Sequence, residues 1–287
     1  MRTGASMLEF PPYPVATARY FSGANALSEQ AEKSKKKYYT IGSVDRLLDL
    51  IEELSQREAW ELTELSSRLG LPKTTVHRFL LTLLDRGYVV QERGRGRYSL
   101  SLKLYSVASR MVEQTGIISI ARPFEEHLRD ALGETVNLTV PSGSSMLVID
   151  KRVSPQPLRQ DIRLGSLFSI PFSASGRIYF AYADEEARAR VMADIRLSSD
   201  QKALERMQTL LTEVEALKKQ GFETDNLEQF EGIRCIAAPI FDASGMVCAV
   251  ISVSVPIVRF SPEFANQAKL EVCAAARSIS QRLGATA

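Results

Sequence analysis

The sequence predicts an α+β protein in two folded parts, and two observations carry that prediction. Residues 63–98 read as a short helix, a tight turn, a second helix and a basic hairpin hinged on glycines. Residues 117–285 alternate apolar strand-like runs with amphipathic helical segments, the pattern of an antiparallel sheet flanked by helices. At 287 residues, 45% hydrophobic and 24% charged, the chain is long enough for two domains and rich enough to bury a substantial core.

Residues 1–38 hold Pro11, Pro12, Pro14 and the run Lys33-Ser34-Lys35-Lys36-Lys37 with no sustained period, and read as a disordered extension. Ser43 is placed to cap a helix in which Val44, Leu47, Leu48, Ile51 and Leu54 form an apolar stripe. Thr63 is placed to cap Glu64–Leu69, with Leu62, Leu65 and Leu69 inward. Gly70 stops that helix, and Leu71-Pro72 opens the next, which runs to about Arg86. The second helix buries Val76, Phe79, Leu80, Leu83 and Leu84 and crowds Lys73, Thr74, Thr75, His77 and Arg78 at its polar N-terminal end. Helix–turn–helix elements present that end to base edges in the major groove. There Arg can bond guanine bidentately, and Thr can meet bases, phosphates or the thymine methyl.

Tyr88–Gln91 and Tyr98–Leu100 read as two strands around Arg93-Gly94-Arg95-Gly96-Arg97. Arg93, Arg95 and Arg97 at a hairpin tip suit phosphates or a minor groove. Residues 39–100 thus read as a winged helix-turn-helix domain for double-stranded DNA. Leu102–Gln114, stopped by Gly116, reads as a linker helix over 101–116 and a candidate dimer contact. The net charge of +2 conceals a basic wing and lysine cluster on an otherwise balanced chain.

In the second part, helices are expected at Ile118–Ala131, Ala174–Ala183, Glu185–Ile195 (capped by Asp184), from Ser198 or Ser199 to Gly221, and from Ser261-Pro262 to Leu283. The long helix carries Leu204, Met207, Leu210, Leu211, Val214 and Leu217 on its stripe. Strands are expected at Thr135–Val140, Met146–Val153, Arg159–Leu164, Ile233–Ile240 and Met246–Val255. No apolar run is long enough to span a membrane, and the N-terminus lacks a secretory signal pattern, so a cytoplasmic protein is expected. Cys235, Cys248 and Cys273 show no CxxC spacing, and His77 and His127 are far apart, so no metal site is assigned. No Ser/His/Asp set, paired carboxylates or phosphate loop is visible, and no catalytic residue or cofactor is assigned.

The segments Leu71–Leu84 (LPKTTVHRFLLTLL), Gly133–Leu138 (GETVNL), Glu231–Asp242 (EGIRCIAAPIFD) and Ala249–Pro256 (AVISVSVP), with Ser43–Leu54, Arg97–Leu104 and Gly221–Asp225, resemble the IclR family of transcriptional regulators over about 41–284. The resemblance implies a GAF-like effector-binding domain at 117–287, a small-molecule effector, and homodimers, often paired into tetramers, on an operator. It implies effector contacts at Ala174, Ser175, Gly176, Asp225, Ile233, Cys235, Ser252 and Ser254. Organic acids and aromatic catabolites are common family effectors. Backbone N–H groups at 174–176 would face the ligand, and Ser252 and Ser254 alternate onto one strand face. The chain departs from the family pattern at Ser101 (usually glycine), at Pro171 and Arg177 (usually histidine and lysine), and at Leu197-Ser198-Ser199-Asp200, where a threonine-rich run is usual.

Several residues carry two readings. Cys235 suits a buried pocket wall or a redox sensor. Asp225 suits a ligand contact or a turn cap with Asn226. Arg159 and Arg163, flanking Asp161, suit a solvated strand face or a carboxylate site, and Ser173 and Ser175 suit helix capping or an effector hydroxyl. The reading adopted is a DNA-binding regulator set by a small effector. A redox-sensing factor signalling through Cys235 is the alternative, and an enzyme on the second domain is a third.

Overall fold

The computed structural model describes residues 41–92, 96–225 and 227–285, and the chain divides into two units between Thr115 and Gly116. The extension at 1–38 and the wing tip bearing Arg93 and Arg95 lie outside the described residues.

The first unit comprises α1 (Gly42–Leu54), α2 (Leu62–Leu69), α3 (Lys73–Asp85), the hairpin β1 (Val89–Gln91) and β2 (Tyr98–Leu100), and α4 (Lys103–Thr115). Leu50, Leu54, Leu65, Val76, Leu80, Leu83, Val89 and Tyr98 close around Trp60. Trp60 also acts as a third rung of the hairpin: its N–H donates to the Tyr98 carbonyl at 2.9 Å, and the Tyr98 N–H donates back at 2.8 Å. The Arg57 guanidinium covers the indole at 3.7 Å.

Three local expectations change here. Glu61, not Thr63, caps α2, because the Glu64 carboxylate accepts the Glu61 N–H at 3.1 Å and the two residues form a reciprocal capping box. Ser43 falls inside α1, which starts after Ile41 without a side-chain cap. The α1 stripe is rotated: Leu50 and Leu54 are buried while Val44 and Leu48 are 48% and 52% exposed, since α1 packs mainly against α2 and β2.

The second unit comprises α5 (Ile117–Leu132), β3 (Thr135–Ser142), β4 (Ser145–Arg152), β5 (Leu167–Ser169), α6 (Ala174–Tyr182), α7 (Glu185–Ser198), α8 (Gln201–Gln220), β6 (Glu223–Thr224), β7 (Ile233–Phe241), β8 (Val247–Pro256) and α9 (Pro262–Arg282). The strands form one antiparallel sheet in the order β5-β4-β3-β8-β7-β6. One face carries Val136, Leu138, Ile236, Ala238, Ile251 and Val253 against α5 and α9. The other carries Met146, Val148, Ala237 and Val250 against α6, α7 and α8.

The predicted strand at 159–164 is irregular chain. The β4 edge is taken instead by Leu167–Ser169, whose Phe168 is buried, whereas Leu164 stays 57% exposed. Burial of the larger apolar side chain decides which segment pairs. The long helix begins two or three residues later than expected, at Gln201: Ser198 ends α7, Ser199 turns left-handed at φ 56°, and Asp200 caps α8 by accepting the Ala203 N–H at 3.0 Å. On α8, Leu211 is exposed and Ala203 takes its place in the buried stripe.

A bulge in β4 has a chemical consequence. Leu138 pairs with Asp150 and Thr139 with Val148, so Ile149 is the extra residue and the strand changes faces there. Met146 and Val148 point toward α6, but Asp150 and Arg152 point toward α5. Asp150 is held by Arg122 at 3.4 Å and Arg152 at 3.1 Å. The neighbouring Glu125 is fully buried, and no described group donates to either of its oxygens. Burial, and then the Asp150 charge, push its pKa from 4.5 up to about 8; protonated, it can donate to Asp150.

Between pH 5 and 8 the folded chain therefore holds a proton that the unfolded chain has released, so stability falls as pH rises, by about 1 kcal/mol per pH unit from this group. Glu125→Leu is expected to raise stability by about 1–4 kcal/mol at pH 8 and to flatten that slope. Urea unfolding at pH 5.5 and pH 8 checks this; an unchanged slope in the variant would contradict it.

Candidate DNA-reading surface and ligand site

Gly70 sets the angle between α2 and α3. It adopts φ 62°, open to glycine at no steric cost, and Leu71 N–H returns to the Ser66 carbonyl at 3.1 Å. Pro72 then caps α3 rather than lying inside it. With Val76, Leu80 and Leu83 locked in the core, helical periodicity turns Lys73, Thr74, His77 and Arg78 outward. Thr75 is half-buried on the flank. It lines a groove of about 440 Å³ with Ser43 and Arg46 of α1 and Arg78, Phe79 and Thr82 of α3. Arg46 was not singled out from the sequence; its signal was its position one turn after Ser43, legible only once α1 is known to border α3.

The wing is braced from both ends. Val89 pairs with Leu100 and Gln91 with Tyr98. Arg97 is chelated by Glu92 through bonds of 3.0 and 3.1 Å. Of the three wing arginines, Arg97 is thus internally paired, and Arg93 and Arg95 fall outside the described residues. At Ser101, Oγ donates to the Gly87 carbonyl and the N–H donates to Tyr88 at 2.9 Å. No left-handed backbone is needed there, so the departure from glycine is accommodated.

In the second unit, the family-implied positions converge. Ser173 caps α6 by accepting the Gly176 N–H at 3.0 Å. The first helical N–H groups, of Ala174 and Ser175, have no acceptor within the helix. Gly176 is forced by close approach: a Cβ there would lie 2.3 Å from Ile170 Cα and 2.5 Å from its carbonyl oxygen. On the α6 face of the sheet, Cys235 is paired with Ser254, and Ser252 lies two residues back on β8. Ser254 Oγ sits 3.3 Å from Cys235 Sγ and accepts from Asn137 Nδ2 at 3.1 Å. Ile233 shares the Cys235 face of β7.

Asp225 is buried, and its carboxylate accepts the Glu228 N–H at 3.1 Å, closing a turn in which Leu227 adopts φ 68°. Burial raises its pKa. Arg177, absent from the predicted set, organises this region. Its guanidinium is 1% exposed and meets Glu223 at 2.9 Å, Glu228 at 3.3 Å and Asp225 at 3.9 Å. It therefore straps α6 to 223–228, and its charge is spent on those carboxylates. Arg159 and Arg163 have exposed, irregular positions, and Asp161 pairs with Lys151. The Cys235 thiol is pushed up to about 12 by burial. A thiol held protonated is a weak nucleophile, which disfavours redox sensing.

A recognition helix with a braced wing, joined to a sheet domain bearing a buried polar cluster, defines a DNA-binding regulator with a ligand-sensing module. The IclR helix-turn-helix domain matches residues 43–93, and the bacterial transcriptional regulator IclR C-terminal domain matches residues 109–281. The chain belongs to the IclR family of transcriptional regulators. It is 32% identical over 246 residues to the HTH-type transcriptional regulator KdgR of Escherichia coli K12, covering 85% of this chain and 94% of that protein. It is 28% identical over 248 residues to the transcriptional repressor IclR of the same organism, covering 85% and 90%. The fold is shared with an IclR homolog from Microbacterium hydrocarbonoxydans complexed with 4-hydroxybenzoate, at TM-score 0.71 and 19% identity, covering 84% and 98%.

Gly176→Ala is expected to cost about 1–3 kcal/mol or more, because backbone rather than a flexible side chain must move. Thermal unfolding of the variant measures this, and a wild-type melting temperature would refute the close approach.

Proposed function

We propose that the chain is a homodimeric regulator that reads an operator with α3 and is switched by a small effector bound between the α6 N-terminus and β7–β8. The observation that carries the DNA reading is the outward array of Lys73, Thr74, His77 and Arg78 on a helix whose opposite face buries Val76, Leu80 and Leu83. Thr75 and Arg46 border the same groove. Arg46 and the wing arginines supply phosphate contacts, with Arg97 first exchanging Glu92 for phosphate. Family membership supports an effector in the second unit, and the complex of the 4-hydroxybenzoate homolog supports a small acid. The protein works by binding rather than turnover, in the cytoplasm with its DNA.

Fluorescence anisotropy with DNA from upstream of the gene and its neighbours tests this, with salt titration and a panel of carboxylates. Specific binding shifted by one compound is expected. Arg78→Ala is expected to weaken it by roughly 1–3 kcal/mol. Weak binding, equal on all sequences and lost steeply with salt, would overturn the operator reading.

A second copy of the chain is the proposed partner for the apolar side chains left exposed in the first unit. Ile41, Val44 and Leu48 on or beside α1 are 68%, 48% and 52% exposed, and Leu102, Tyr105 and Val107 at α4 are 83%, 73% and 52% exposed. Operators with two-fold symmetry call for such pairing. Leu48→Glu is expected to shift sedimentation toward monomer; an unaltered profile would place the dimer contact elsewhere.

A further inference from the structure

The outer edge of the sheet carries a second cavity, away from the effector site proposed above. β6 pairs only with Ile236 and Ala237 of β7, so from Ala238 to Phe241 no strand covers the edge of β7 among the described residues. There a groove of about 430 Å³ opens between α9 and the Gln220-Gly221-Phe222 corner that joins α8 to β6, a volume that suits a small molecule. It borders Tyr182, the last residue of α6, and so lies at the opposite end of that helix from Ala174 and Ser175. None of the residues assigned to the effector lines it. The edge itself rejects an added strand. Cys235 turns its backbone toward β6, its carbonyl accepting the Asp225 N–H at 2.8 Å. By alternation Pro239 faces the open edge, where it has no N–H to donate. The Phe241 N–H is spent on Ser280 Oγ at 2.9 Å. What the groove offers is therefore side chains.

Its floor is aromatic and its rim cationic. The Tyr182 and Phe241 rings meet edge to face with centroids 5.2 Å apart, and the Tyr182 hydroxyl is anchored on the Lys218 carbonyl at 2.8 Å. Lys269 Nζ lies 5.3 Å from the centre of the Phe222 ring. Lys269, Cys273 and Arg277 stand four residues apart on one ridge of α9. Arg277 Nε donates to the Cys273 carbonyl at 3.3 Å, which draws its side chain back along that ridge. Elsewhere in this unit Arg152, Arg177, Arg206 and Arg259 each meet a carboxylate. Lys269 and Arg277 meet none among the described residues.

We infer that this groove is a second ligand site, and that it takes an organic dianion built on a flat ring. The ring lies against Phe222, Tyr182 and Phe241, and the two negative charges face Lys269 and Arg277. A monoanion leaves one cation unmatched, and an open-chain acid leaves the aromatic floor in water. The site stands whether or not the effector site does.

Calorimetric titration of the full chain separates ring from charge. The probes are naphthalenedicarboxylate and naphthyl phosphate (ring dianions), naphthoate (one charge), naphthalenedimethanol (no charge) and suberate (two charges, no ring). At least one ring dianion is expected to bind about two- to fivefold tighter than naphthoate, the worth of one exposed ion pair. It is expected to bind roughly tenfold tighter than naphthalenedimethanol or suberate, each of which lacks a whole class of contact. Either dianion supports the site, and the tighter of the two names the acid it takes. Lys269→Gln combined with Arg277→Gln is expected to bring the dianion down to the level of naphthalenedimethanol with an unchanged melting temperature, since both side chains lie at the rim. Phe222→Leu is expected to weaken every ring probe while keeping their order. Ser252→Leu, aimed at the effector site, is expected to leave dianion binding as it is. No binding by either dianion, or equal binding by naphthalenedimethanol, would overturn the inference and leave the effector site standing. Binding that is lost in Ser252→Leu but survives the paired Lys269 and Arg277 change would overturn it too, by moving the dianion to the effector site.

Discussion

The second unit depends on the contact between Gly176 and Ile170. The first turn of α6 lies against the backbone of Ile170 with room for a hydrogen and nothing larger. That approach fixes the helix N-terminus over the sheet. Ser173 takes the Gly176 N–H, and Arg177, one residue on, is buried deeply enough to gather Glu223, Asp225 and Glu228. Any larger residue at 176 would lift the helix, part the strap from its carboxylates and open the polar row beneath. A buried cation with several acidic neighbours is costly to desolvate, so it stabilises one arrangement of 223–228 more than it adds total stability.

The sheet separates two chemistries by strand alternation. The face toward α5 and α9 is apolar along β7 and β8, while the opposite face changes from apolar at Ala237 and Val250 to polar at Ser252, Ser254 and Asn137. The bulge at Ile149 is the exception, because it sends Asp150 to the α5 side, where Glu125 is kept protonated by burial. In the first unit, the equivalent fixed point is Trp60, bonded at both backbone groups to Tyr98, which ties the strand β2 to the segment between α1 and α2.

Much of this was legible in the sequence. Glycine stops, proline starts and apolar periods located the helix-turn-helix, the hairpin strands and the central strands within a residue or two, because these signals are local. Ser261, Asp184 and Gly221 mark helix ends as read. Misread ends, at Ser43, Thr63 and Ser198, share a cause: several polar residues near each end can cap, and packing chooses among them. The strand expected at 159–164 failed because alternation alone does not say which segment has the larger side chain to bury.

What the sequence by itself determined is the set of elements and the family to which they belong, since both are written in short-range patterns. Which residues meet was decided only by the tertiary structure. Asn137 and Ser254 are 117 positions apart and Arg177 and Glu223 are 46 apart, and no local period links them. Arg177 was legible as a departure from the family's usual lysine, but only the fold places it against three carboxylates. Glu125 lies within the expected helix at Ile118–Ala131, and only the bulge in β4 turns Asp150 toward it. Charge and hydrogen-bond capacity are properties of single residues, but whether they are satisfied depends on neighbours brought in by the fold.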